Sequence, residues 1–323
     1  MSNSLLAMDR LDSTTGRDGT GAGKPPRRRR RVRWSLYLAL VPTFTLLGLF
    51  AYYPDFSGIF HSFFNWRPGF TSPFSGLANY GQMLNNSVWW LSFEHVGLIF
   101  LAGVTIMWAV PFFAAELVMT LSSARARFIF QTLLIVPLAF PAVVTVLLWE
   151  FLYNPNNGVI NTFLDDIGLH SLAQNWLGSP HTALISLILI GFPWVAGLPF
   201  LIFLSALQNI PQEVFDAAAM DGAGRLRRLV HIDLPLLLRQ FRLLLFLAII
   251  QVLQYGFAAY IVTQGGPGNA TQVPVLQMLA TAFDEDNWGG AAAMSTMLFM
   301  LMLGLSTITL LLRRRDRSRV AVR

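Results

Sequence analysis

The residues best equipped for chemistry are two carboxylates, Glu116 and Glu150, set within long apolar stretches. Charge in such a stretch marks a functional site by default. Both lie near stretch ends, Glu116 six residues before Ser122 and Glu150 close to Asn154, within reach of polar surroundings. No carboxylate or histidine falls mid-stretch, where a proton-coupled carrier needs one. His61, His95, His170, His181 and His231 show no metal-ligand spacing, and Glu94-His95 is not part of a helical HExxH zinc site. Cysteine is absent, which excludes disulfides, thiolate metal sites and a cysteine nucleophile. No Ser/His/Asp grouping shares a common depth. The chain therefore reads as a non-enzyme, with no metal site and no cofactor of its own.

Recognition chemistry is better represented. Residues 210–235, IPQEVFDAAAMDGAGRLRRLVHIDLP, form a polar island between two apolar stretches. Pro211 suits a first helical turn, where its missing N–H costs nothing. Glu213 and Asp216 set negative charge toward that helix's positive end. Ala217, Ala218 and Ala219 favour helix with minimal bulk, and Gly222 offers a left-handed stop. The expected product is a slim helix of two or three turns, able to approach a partner closely, followed by the cationic Arg225, Arg227 and Arg228.

A second set, Gln251, Gln254, Tyr255 and Tyr260, combines amides with aromatic faces, as sugar sites do, because a sugar offers apolar C–H faces and many hydroxyls. At i, i+3 and i+4, Gln251, Gln254 and Tyr255 are expected on one helical face. Glutamine is costly in hydrocarbon, so that face should turn toward protein or water. Packing against a partner subunit accounts for it equally well. Trp194 is a further candidate for the same pathway.

The elements that must position these residues are membrane helices. The chain has 323 residues, 54% hydrophobic and only 12% charged, with a mean hydropathy of +0.53. Those values describe an all-α polytopic membrane protein. Six apolar runs reach the roughly 20 residues needed to cross a bilayer, near 34–53, 95–121, 128–152, 183–207, 243–262 and 290–312. Pro111, Pro137, Pro141, Pro193 and Pro199 fall within them, where they kink helices beside a pathway or simply pack.

Residues 1–33 read as a disordered basic tail, 34–313 as the transmembrane domain with a loop at 208–240, and 314–323 as a second basic tail. In the first tail, residues 19–24 (GTGAGK) approach a phosphate-binding loop. Asp18 precedes them, Pro25 stands where Ser or Thr would meet magnesium, and no strand leads in, so they read as linker. The arginines at 27–31 read as a topogenic anchor on anionic lipid, not as a nucleic-acid patch or export signal. With the amino-terminal tail cytoplasmic, 22 of the 23 Lys and Arg residues fall on the cytoplasmic side, leaving only Arg67 outside. Both termini and the polar island are then cytoplasmic.

FDAAAMDGA (residues 215–223) followed by IDLP (232–235) resembles the EAA signature of binding-protein-dependent ABC importer permeases. Asp216 stands at the usual Glu position, Ala217 and Ala218 at the alanine pair, and Asp221, Gly222 and Ala223 match its DGA. Asp216 shortens the reach by one methylene, and Gln240 falls near a usual proline. Residues 74–80 (FSGLANY) resemble the FxGLxNY element of sugar-importer permeases. Residues 157–161 (NGVIN), with Gly168 and Trp176, resemble their GxIN…G…W pattern. Residues 263–267 (TQGGP), with Thr271, resemble their TxGGPxxxT element. Four elements in the family's order point to the maltose- and glycerophosphate-type branch and its GGP-carrying subunit.

The resemblance implies a type I ABC importer permease of six transmembrane helices, working by alternating access, in a bacterial or archaeal cytoplasmic membrane. Phe215, Asp216, Ala217, Ala218, Asp221 and Gly222 would belong to a coupling helix seated in a cleft of the ATPase. ATP and Mg would be bound by that partner. The other implied partners are a second homologous permease subunit, an extracytoplasmic solute-binding protein, a sugar and membrane lipid, with no nucleic acid. Alternatives are a proton- or sodium-coupled carrier, a docking scaffold, or an importer of another solute such as a glycerophosphodiester.

Overall fold

The computed structural model describes residues 34–192 and 197–320. The tail readings at 1–33 and 321–323 fall outside them. The chain divides into two compact units, Met1–Ala51 and Tyr52–Arg323. In the first, α1 (Trp34–Leu47) runs through Pro42 and is followed by a π-helical turn, Gly48–Tyr52. Its Leu40, Phe44 and Leu46 are exposed, as befits a helix solvated by lipid.

The second unit begins with α2 (Tyr53–His61) and α3 (Ala78–Leu84). Its central element is α4 (Ser87–Met119), whose 33 residues extend roughly 50 Å at 1.5 Å per residue. That exceeds a hydrocarbon core of about 30 Å. The helix starts eight residues before the expected His95 because Asn86 caps it, its Oδ1 accepting from Val88 N at 2.9 Å and Trp89 N at 3.3 Å. Pro111 is buried within α4 and does not end it.

The third expected span is not straight. α5 (Ala124–Ile135) and the 3-10 turn Val136–Ala139 meet α6 (Ala142–Leu152) at 91°. Pro141 has no N–H for a helical bond, and its ring drives Phe140 into extended backbone, ψ 133°. α7 (Val159–Asp166) follows. The fourth expected span is divided between α8 (Ala183–Ile188) and α9 (Gly197–Gln208). Pro193 and Trp194, between them, lie outside the described residues.

The remaining helices are α10 (Gln212–Met220), α11 (Arg225–Arg228), α12 (Leu234–Leu236), α13 (Leu238–Leu253), α14 (Phe257–Val262), α15 (Pro274–Leu279) and α16 (Trp288–Val320). By length and composition, among the described residues, Ser87–Met119, Leu238–Val262 and Trp288–Thr309 can each cross a bilayer, and the bent pair α5–α6 makes a fourth. α9 is a shorter apolar helix.

Both cores of this unit are built on α4. Its C-terminal half contributes Trp108, Phe112, Ala115 and Val118 to a cluster with Phe200, Phe203, Leu204 and Leu207 of α9 and Leu244 of α13. Its N-terminal part contributes Trp89 and Val96 to a second cluster with Leu253, Val273, Leu276, Met294 and Leu298. Between helices in lipid the driving force is close packing. The Phe203 ring centre accordingly lies 4.7 Å from that of Phe241 and 5.6 Å from that of Phe112.

Loops at the N-terminal end of α4 are tied by single polar side chains. Asn79 donates to the carbonyls of Ser62 (2.8 Å) and Phe64 (2.9 Å), and Tyr80 pairs with Ser62 Oγ at 2.7 Å. Asn161 donates to Pro155 O and Gln174 O and accepts from Trp176 Nε1 at 2.7 Å. Thr263 and Thr271 meet at 2.7 Å across the glycine-proline loop, whose following residue Gln272 accepts from His95 Nδ1 of α4 at 2.8 Å. Tyr153 donates to Ser186 O at 3.0 Å. Burial pushes its hydroxyl up to about 12, so it stays a donor at physiological pH.

Candidate functional site

The polar island forms a defined structure at the C-terminal end of α4. Pro211 stands at the N-cap of α10, one residue before the helix, with φ −56° and ψ 140°. Gln212 Nε2 donates to Asp216 Oδ1 at 3.1 Å, one turn on. At the other end Gly222 adopts φ +69°. Ala223 N–H donates to Ala218 O at 2.9 Å and Gly222 N–H to Ala219 O at 3.1 Å. Those two bonds are the 6→1 and 5→2 closures of a Schellman motif, which requires a left-handed residue between them. The expected glycine stop is thus present. α10 has nine residues, about two and a half turns.

Arg228 ties this loop to α4. Its Nε donates to Asp233 Oδ2 at 3.0 Å, and its Nη2 lies 3.5 Å from Glu116 Oε2. Its guanidinium carbon sits 5.0 Å from the ring centre of Phe215 on α10. The side chain of Asp233 is 0% exposed and that of Glu116 8%, so two buried carboxylates share one guanidinium. Glu116 Oε1 and Asp233 Oδ1 have no hydrogen-bond partner among the described residues. Such a cluster adds little net stability, yet removing one member leaves charge buried and is costly. Its effect is to fix where the loop sits. Nearby, Arg127 Nη2 donates to Leu121 O at 3.0 Å, satisfying backbone just beyond α4.

The six residues expected to form one docking element divide into two faces. Phe215 is half-buried and Ala218 is 6% exposed, both turned toward the protein's own body. Asp216, Ala217, Asp221 and Gly222 are exposed. Local sequence does not separate these roles, nor does it mark two apolar side chains that stand fully outward, Met220 at 88% and Leu226 at 76% exposed. The sequence offers Glu116 and Arg228 as separate features without pairing them, and it gives Asp233 no role. An isolated carboxylate in an apolar run and an arginine cluster were the available signals. Only the fold brings them together.

The second expected set is arranged differently from the sequence reading. α13 ends at Leu253, Gln254 and Tyr255 lie in the break, and α14 resumes at Phe257. The uninterrupted face expected for Gln251, Gln254 and Tyr255 is therefore corrected. Gly256 sits in the break, where its φ of −171° departs from helix, and a Cβ there would lie 2.7 Å from a methyl carbon of Val275 on α15, so the position has room only for glycine. Gln251, Gln254 and Tyr260 are exposed, and Gln254 Nε2 approaches Met302 Sδ at 3.5 Å. Tyr255 is half-buried against the second core. Interrupted helix inside a span leaves backbone groups that lipid cannot satisfy, so this surface needs protein or water beside it.

A polytopic helical protein with an anchored, outward-facing loop helix and a broken span belongs, by class, with membrane transport components and not with enzymes. Residues 96–320 match the family of binding-protein-dependent transport system inner membrane components, and the chain belongs to that family. It is 33% identical over 278 residues to the probable ABC transporter permease protein YurN of Bacillus subtilis (strain 168), covering 84% of this chain and 92% of that protein. It is 31% identical over 285 residues to the sn-glycerol-3-phosphate transport system permease protein UgpA of Yersinia enterocolitica, covering 85% and 92%.

A solved bacterial ABC transporter involved in import of the acidic polysaccharide alginate has a chain that superposes with a TM-score of 0.75 at 21% identity, covering 87% of this chain and 96% of that one. That likeness gives the fold. The protein is thus a permease subunit of a binding-protein-dependent ABC importer, a membrane protein that works with ATPase partners and catalyses no reaction itself. The proton- or sodium-coupled carrier and the scaffold are set aside.

Proposed function

We propose that this permease imports a sugar delivered by an extracytoplasmic solute-binding protein, in a complex with a second homologous permease and a cytoplasmic ATPase dimer that binds ATP and Mg. The observation that carries the reading is α10, a capped helix pinned to α4 with Asp216, Ala217 and Met220 turned outward, beside the equally outward Leu226 of α11. In this reading α10 is the coupling helix and its end of the bundle is cytoplasmic. Both termini lie on that side, with 34–313 as the membrane domain. ATP-driven closure of the ATPase moves α10, and the bundle alternates between outward and inward access.

The break at Gln254, with Gln251, Tyr255 and Tyr260, contributes to the substrate pathway, and Trp194 belongs with it. These groups are neutral donors and acceptors joined to aromatic faces, which suits a neutral polyhydroxylated solute. A second reading, import of a glycerol phosphate, is favoured by the relatives that bear that name. Purifying the tagged complex tests the first statement, because an ATPase should accompany it. Uptake by the reconstituted system of a sugar panel against sn-glycerol-3-phosphate separates the two solutes.

A further inference from the structure

The coupling reading leaves open how a displacement of α10 reaches the bundle, since α10 is joined to α9 only through 209–211 and to α11 through a glycine turn. We propose that Arg228 is a positioning residue that makes α10 and the C-terminal end of α4 one rigid lever. Three contacts carry this, and they radiate from one side chain: Phe215 on α10 at 5.0 Å, Glu116 on α4 at 3.5 Å, and Asp233, which leads into α12 and α13, at 3.0 Å. Phe215 lies on the inward side of α10, so the cluster does not compete with a partner for the outward one. A guanidinium's planar fork of five donors holds two carboxylates and a ring face in fixed geometry, where an ammonium offers three donors on a compact point charge. Because α4 contributes to both cores, a shift imposed at Glu116 is delivered to the length of the bundle.

This inference rests on α10 being the coupling helix, and the test separates the two. The chain contains no cysteine, so, with partner subunits freed of reactive cysteine, cysteines introduced at Glu213 on α10 and Ser122 beyond α4, both exposed, take spin labels at those sites alone. Distances are measured by pulsed EPR in the reconstituted complex, without nucleotide and after trapping with ATP and vanadate. The unaltered cluster should give one narrow distance that nucleotide does not change. Arg228→Gln should lose that single distance and make it nucleotide-dependent, while the ATPase still copurifies. Arg228→Lys should fall between. If Arg228→Gln does not assemble, Glu116→Gln carries the same expectation from the α4 side. A narrow, nucleotide-independent distance in the assembled variant overturns the lever. Absence of an ATPase from the unaltered complex instead overturns the coupling reading on which it rests.

Discussion

Replacing Gly222 by alanine isolates one physical term in the coupling loop. A Cβ at Gly222 would meet no atom within 4 Å, so no clash contributes, and the cost within the closed turn comes from its φ of +69° alone. Holding an L-residue in left-handed backbone costs about 1–2 kcal/mol, and the reduced freedom of the opened chain returns about 0.4–1 kcal/mol. The net penalty on the closed turn is about 1 kcal/mol, roughly a fivefold shift toward opening. The bonds that open are Ala223 N–H to Ala218 O and Gly222 N–H to Ala219 O. Amide hydrogen exchange at residues 222 and 223, on the full-length protein in nanodiscs, should therefore accelerate roughly fivefold. Gly222→Asn should cost less, because asparagine tolerates this region. Unchanged exchange in Gly222→Ala, or equal damage from both substitutions, would refute the argument.

Four further outcomes follow from α10 and the neighbouring α11, from the far loops and from the break at Gln254. Ala218→Trp overfills a position 6% exposed, and it should lift α10 and abolish binding-protein stimulation of ATP hydrolysis while the complex still assembles. The pair Met220→Ser and Leu226→Ser should leave the thermal unfolding midpoint unchanged but weaken retention of the ATPase through purification. Asn161→Ala removes the groups that hold Pro155, Gln174 and Trp176 together. It should cost about 3 kcal/mol, read as a lower unfolding midpoint in detergent. Gln254→Ala with Tyr255→Ala should raise the half-saturating solute concentration or lower the uptake rate, and unaltered uptake would remove the pathway assignment.

Local signals were legible where the chemistry is local. Pro211, the alanine run and Gly222 announced α10 because caps and propensities act within a turn or two. The arginine count and the apolar runs likewise announced a membrane bundle. What stayed hidden depends on partners distant in sequence. Glu116 and Arg228 meet only after α4 and the 208–240 loop are folded, so neither residue's neighbours reveal the pairing. The break at Gln254 reads as continuous helix in the sequence because a lone glycine is tolerated in a helix, and the closeness of Val275 that leaves room only for glycine comes from α15. The bend at Pro141 was legible as a proline but not as an angle. Asn79 and Asn161 stood in the motifs that carried the family resemblance, yet their work as hydrogen-bond hubs needed coordinates.

The right-angled pair α5–α6 also constrains how the fold is completed. Its arms are α5 with its 3-10 turn, 12 plus 4 residues, and α6, 11 residues, about 26 and 17 Å long, so neither alone traverses a hydrocarbon layer of about 30 Å. Only the two arms together supply the length and apolar composition of a spanning segment. A Cβ on Gly197 of α9 would lie 2.8 Å from Leu138 at the corner of the bend, so the corner and α9 fit as a joint surface. The right-angled form of residues 124–152 is therefore completed only against α9, an element that follows it in the chain.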